Sequence, residues 1–156
     1  MRHGSAEYAN AGGDSQRNLT RHGVAEAALV GQVFEKIGAP NLVLHSPYVR
    51  TTQTAEHITS SLSTKPVVLR ASALRSGSVP EEMLTELQAH SGFETILAIG
   101  HMPDVAELSL MVTGREDLPV MFVPATVVAL ELSRGWGPGG MELSWMETPV
   151  TIGSKL

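Results

Sequence analysis

The sequence predicts an α/β fold: a three-layer αβα sandwich around a mostly parallel central sheet, with antiparallel strands added late in the chain. Two observations predict it. Through the middle of the chain, short apolar runs alternate with segments of helical period, which is how strand–helix units build a parallel sheet covered on both faces. The last third changes character, with two strand-like runs joined by a Gly/Pro loop. The 156 residues show no internal repeat, linker or low-complexity stretch, so residues 1–156 read as a single domain.

The elements follow in order. Arg21 to Ile37 has Ala25, Ala28, Leu29, Val33 and Ile37 at helical spacing, with Thr20 as N-cap and Gly38 just past the end. Asn41 to His45 is a short apolar strand. Ser46-Pro47 then supplies an N-cap and a proline at the first helical position, for a helix reaching about Leu62. Pro66 to Leu69 is a second strand. Pro80-Glu81-Glu82 opens a helix whose acidic first turn suits the macrodipole, with Met83, Leu84 and Leu87 inward. Thr95 to Ile99 is a third strand, followed by a helix from about Pro103 with Val105, Leu108 and Val112 on one face. Thr126 to Leu132 and Met141 to Met146 form the late pair.

Composition narrows the function. A net charge of -5 and the lack of any Lys/Arg run argue against a nucleic-acid surface. The chain has 0 cysteines, which removes disulfides, thiolate metal sites and cysteine nucleophiles. Met1 to Asn10 holds no apolar signal-peptide core, and no apolar run approaches the ~18 residues of a membrane span. A cytoplasmic location fits these features, with no membrane partner, while the oligomeric state is not written in the sequence.

In such a sheet, ligands bind at the carboxyl ends of the strands, where helix N-termini also point. Arg50 falls in the first turn of the helix after one strand, and His101 directly after another. Singly, an arginine early in a helix is commonly solvated and a histidine at a strand end commonly packs or caps. Their equivalent topological positions suggest convergence on one anion. Arg2-His3-Gly4 adds a guanidinium fork, a nucleophilic nitrogen and close backbone approach. The tripeptide recurs as Arg21-His22-Gly23, where it reads as the first turn of an amphipathic helix.

Four segments in order resemble the histidine phosphatase superfamily: Arg2-His3-Gly4, Asp14-Ser-Gln-Arg-Asn-Leu-Thr20, Ser46-Pro-Tyr-Val-Arg-Thr-Thr-Gln-Thr-Ala55 and Gly100-His-Met-Pro103. More narrowly, the chain resembles the small SixA-type phosphohistidine phosphatases over nearly its whole length, including the Met121-Phe122 segment and the late strands. The resemblance implies that His3 accepts the phosphoryl group and water then hydrolyses the phosphohistidine. It implies that Arg2, Arg50 and His101 surround the phosphate and that Gly4 and Arg17 contact substrate. No metal or other cofactor is implied. The expected partner is a phosphorylated protein or a small phosphorylated molecule, with a small-molecule phosphomonoesterase and a non-catalytic phospho-binding module as the alternatives.

The sequence departs from that family in two places. Family members carry an apolar central strand ahead of the Arg-His-Gly segment, and here Met1 stands directly before it, so the first strand is expected to be missing or truncated. Its loss would unpair two neighbouring edges and leave His3 on a mobile terminus. The family's usual acidic residue is also absent: those positions hold Ser5 and Ala73-Leu-Arg-Ser76, with Glu7, Glu81, Glu82 and Asp104 as substitutes better suited to surface or helix-start roles. An enzyme without an evident acid suits a leaving group that departs easily, such as imidazole. Gly135-Trp-Gly-Pro-Gly-Gly140 matches the dinucleotide fingerprint literally but leads into a strand, so it reads as a hairpin loop. Trp136 and Trp145 read as packing residues, and His22, His45, His57 and His90 lack metal-ligand spacing.

Overall fold

The computed structural model describes residues 1–119 and 122–154. Of the Met121-Phe122 segment, Met121 lies outside the described residues and Phe122 is buried. Helix α1 spans Arg21–Ile37, and Thr20 caps it by accepting from the Gly23 N–H at 3.1 Å. Strand β1 (Leu42–His45) leads to α2 (Val49–Ser60), and β2 (Val67–Arg70) to α3 (Pro80–Ala89). Strand β3 (Ile96–Ile99) precedes α4 (Asp104–Thr113), and β4 (Val127–Leu132) pairs antiparallel with β5 (Met141–Glu147). A short helix, α5 (Pro149–Gly153), follows, closed by a capping box between Thr148 and Thr151. Sequence periodicity cannot register five residues, and α5 is not foreseen above.

The parallel sheet has the order β2-β1-β3. Alternation along β1 makes three layers. Val43 joins Ala27, Val30, Phe34 and Ile58 in a core under α1 and α2, whereas Leu42 and Leu44 join Leu74, Met83, Val105 and Phe122 under α3 and α4. Trp145 packs on the first core and Trp136 on the second, as packing residues should. The Gly135–Gly140 segment is the loop of the β4–β5 hairpin.

The N-terminal residues behave differently from expectation. Met1 to His3 run as a short extended segment beside the end of β3, with Arg2 opposite Gly100 in a parallel bridge. Gly100 N–H donates to Met1 O at 3.0 Å and His3 N–H to Gly100 O at 3.1 Å. On the other side Arg2 N–H donates to Thr126 O at 3.1 Å and Ala125 N–H to His3 O at 3.0 Å. The Met1 ammonium donates to Ala98 O at 2.8 Å, and burial lowers its pKa to about 5. His3 is therefore held between two main-chain neighbours rather than on a mobile end. Residues of β3 and β4 flank a cavity of about 780 Å³ lined by Thr95, Leu97, Val128, Leu130 and Trp145.

Candidate active site

The carboxyl ends of β1 and β3 and the Met1–His3 segment, with the start of α2, bring three side chains together. His3, Arg50 and His101 are all buried there. Arg50 Nε donates to His3 Nε2 at 3.2 Å, and Arg50 Nη2 lies 3.2 Å from His101 Nδ1. The two imidazole rings stand 5.3 Å apart, edge to face.

The tautomers follow from the partners. His3 Nδ1 faces the Gly4 carbonyl at 2.7 Å, so Nδ1 carries the proton. Nε2 keeps a lone pair, which Arg50 contacts. His101 Nε2 lies 2.8 Å from Ser46 Oγ, leaving Nδ1 as the nitrogen directed at Arg50. Burial and then the charges of Arg50, Arg2 and Arg17 lower the His3 pKa to about 4, against the opposing hydrogen bond to Gly4. Burial, then the proximity of His3 and Arg50, lower that of His101 to about 3. Both rings are neutral near pH 7, and the positive charge of the pocket comes from its guanidinium groups.

Five of the residues singled out in the sequence thus converge: His3, Arg50 and His101 by direct contact, and Arg2 and Arg17 through their charges on His3. Arg2 Nη1 donates to Phe122 O at 2.5 Å, which ties this guanidinium to the segment before β4. Gly4 meets both α2 and α1. Its N–H is given to Thr54 Oγ1 at 3.1 Å, and a Cβ on it would stand 2.7 Å from Gly23 O, so its bareness serves close packing against α1.

Several residues were not anticipated. Ser46, expected to be the N-cap of the following helix, is not: α2 has Tyr48 at its N-cap, and the Ser46 hydroxyl accepts Tyr48 N–H at 3.3 Å and lies 2.8 Å from His101 Nε2. The Tyr48 ring is tilted 59° against His101, with centroids 4.8 Å apart, and its centroid lies 4.9 Å from the Arg50 guanidinium carbon. Thr54, four residues after Arg50 on α2, donates to the Arg50 carbonyl at 2.7 Å while receiving Gly4 N–H. An i, i+4 reading from Arg50 would have found it. Buried Glu26 accepts Ser5 N–H at 2.7 Å. Among the acidic substitutes, Glu7 accepts from Asn18, Asp104 accepts Gly77 N–H at 2.9 Å, and Glu81 and Glu82 are exposed on α3. The carboxylate that does reach the site arginines is Asp14, through Arg50 Nη2 at 3.0 Å and Arg17 Nη1 at 2.8 Å.

Residues 1–75 match the sequence profile of the histidine phosphatase superfamily (branch 1). Among solved structures, the chain is similar to the protein histidine phosphatase SixA complexed with tungstate, at 28% identity and a TM-score of 0.84, covering 96% of this chain and 95% of that one. It is similar to a protein assigned as phosphohistidine phosphatase SixA from Nakamurella multipartitia at 25% identity and a TM-score of 0.80, covering 96% and 94%. A protein so assigned from Agrobacterium tumefaciens, at 23% identity, shares the fold with a TM-score of 0.78 over 96% and 95%. No curated protein matches the chain.

Proposed function

We propose that the chain is a phosphatase of the histidine phosphatase superfamily, whose profile residues 1–75 match, and that it removes a phosphoryl group from phosphohistidine in a protein through a covalent intermediate on His3. The observation that carries this reading is the His3 ring: Nδ1 tied to the Gly4 carbonyl, Nε2 unprotonated, and Arg50 against it.

In the first step His3 Nε2 attacks phosphorus. A new N–P bond forms and the bond from phosphorus to the donor imidazole breaks. The donor ring takes a proton from solvent on its other nitrogen, whose pKa of ~6.5 is that of an imidazole, and so leaves as neutral imidazole without a dedicated acid where an alkoxide would need one. In the second step water attacks phosphorus, the His3–P bond breaks and inorganic phosphate departs. Arg2, Arg17 and Arg50 supply fixed positive charge for the equatorial oxygens, each charge-assisted bond contributing roughly 1.5–3 kcal/mol. A bound phosphoryl dianion also offsets the guanidinium charges that add to burial in lowering the His101 pKa, favouring a proton on that ring.

The test is a single-turnover reaction with a ³²P-phosphohistidine protein. An acid-labile label on the wild-type chain, absent from His3→Ala, is the expected result. Steady release of phosphate by His3→Ala at the wild-type rate would sink the covalent reading. Preference for the phosphohistidine protein over sugar phosphates and phosphoserine tests the substrate, and the reverse order would assign a small-molecule phosphomonoesterase.

A further inference from the structure

Of the carboxylates considered as partners for this pocket, Asp14 alone spans two of its guanidinium groups, and it does so with both oxygens. Oδ1 accepts from Arg17 Nη1 at 2.8 Å and Oδ2 from Arg50 Nη2 at 3.0 Å, while its main-chain oxygen accepts from Arg50 Nη1 at 2.6 Å. Arg50 is 4% exposed and has its Nε on His3, so its two terminal nitrogens are what it can offer an oxyanion, and Asp14 contacts both. The bond from Arg17, offset by burial and reinforced by Arg50, lowers the Asp14 pKa, so the group is a carboxylate near pH 7.

The segment carrying Asp14 is built to let go. The three-residue turn Asp14–Gln16 buries no residue, the Asp14 side chain is 56% exposed, and the preceding Gly13 has a positive φ of 93° with nothing within 4 Å of where a Cβ would sit. Arg50, in contrast, is anchored in α2 and cannot retreat.

We infer that Asp14 is an internal competitor for the anion site: a specificity-determining carboxylate that an incoming phosphoryl group must displace from Arg50 and Arg17. The inference rests on reading this pocket as the phosphoryl site. Displacement costs the same for every anion, so it sets a threshold. A phosphoryl dianion, with three oxygens and two charges to place on the forks, exceeds it. Singly charged ions such as formate offer no more than Asp14 itself and are kept out. Asp14 thereby filters ligands by charge, at the expense of raw affinity for all of them.

Titration calorimetry of inorganic phosphate and of formate into the wild-type chain and Asp14→Asn tests this. Removing the competitor tightens phosphate binding about tenfold and brings formate into the measurable range. A purely positioning role predicts the opposite sign, because the arginines would loosen, so weaker or unchanged phosphate binding in Asp14→Asn overturns the inference. Failure of the wild-type chain and Asp14→Asn alike to bind phosphate overturns both this inference and the phosphoryl-site reading. Wild-type binding and turnover with an unchanged affinity in Asp14→Asn overturns this inference alone. Thermal unfolding of both chains identifies any loss of binding that comes from misfolding.

Discussion

The chain contains the same tripeptide twice, and the two copies do unlike work. Arg2-His3-Gly4 lies at the end of a sheet, with His3 buried, its Nε2 against Arg50 and its neighbours fixed by Gly100 and Thr126. Arg21-His22-Gly23 forms the first turn of α1, with the His22 ring largely exposed beside Glu26 at 3.2 Å. Side-chain chemistry is therefore not a property of the tripeptide. A histidine at a strand end meets the strand-end residues of its neighbours, whereas one in a helix meets its own next turn and solvent. The two copies also touch. A Cβ on Gly23 would stand 2.0 Å from Ser5 O, and one on Gly4 would stand 2.7 Å from Gly23 O. The second copy supplies a flat surface on which the first is laid.

The largest effect that could break this contrast is on turnover. His3→Ala should lower kcat by a factor on the order of 10³ or more, and His22→Ala by less than about twofold, in phosphate release from a phosphohistidine protein. Equal losses in both would erase the distinction. Arg50→Lys comes next. A single ammonium cannot reproduce the contacts of Arg50 with His3, His101 and Asp14, and kcat/KM should fall on the order of 10²-fold. Retention of wild-type kcat/KM would show that the fork geometry is dispensable.

The contact between the copies predicts a smaller effect. Gly23→Ala forces the Ser5 main chain away and should cost about 1–3 kcal/mol in urea unfolding, with a loss of activity larger than that of His22→Ala. An unchanged unfolding midpoint would mean that the approach of Gly4 and Gly23 is not tight in solution. The mildest prediction concerns pH. His3 and His101 have pKa values lowered to about 4 and about 3 from an ordinary 6.5, so the unfolded chain binds protons that the folded one refuses. Their contribution to stability is present above pH 6.5 and is lost as pH falls towards those values. The unfolding midpoint of the wild-type chain should decline over that range, and the decline should be shallower in His3→Ala than in His22→Ala. Identical profiles would contradict the burial of His3.

The parts of the fold legible in the sequence were those governed by periodicity. Residues 21–37 announced α1, and the apolar runs before His45 and Gly100 announced β1 and β3, because burial on one face or two leaves a repeating trace. Arg50 and His101 were legible by topology, since both follow strand ends. What local pattern does not record is what a side chain meets across the chain. Ser46-Pro47 has the look of a helix cap, but its hydroxyl lies within reach of His101, a partner 55 residues away. Asp14 could be placed in a recognisable stretch, yet its contact with Arg50 depends on how the turn after Gly13 folds back. The anchoring of His3 was misjudged for the same reason: the groups that hold it, at Gly100 and Thr126, are far along the chain.

On the proposed mechanism, that anchoring makes His3 a reporter. Docking of Met1 to His3 rests on main-chain bonds to Ala98, Gly100, Ala125 and Thr126, and a short segment held in this way is expected to detach at a lower free-energy cost than global unfolding. By that mechanism an undocked molecule cannot react, because His3 is no longer held against Arg50. Specific activity is then proportional to the docked fraction, and heating should silence the enzyme before its circular dichroism changes, turning catalysis into a thermometer for one short stretch of backbone.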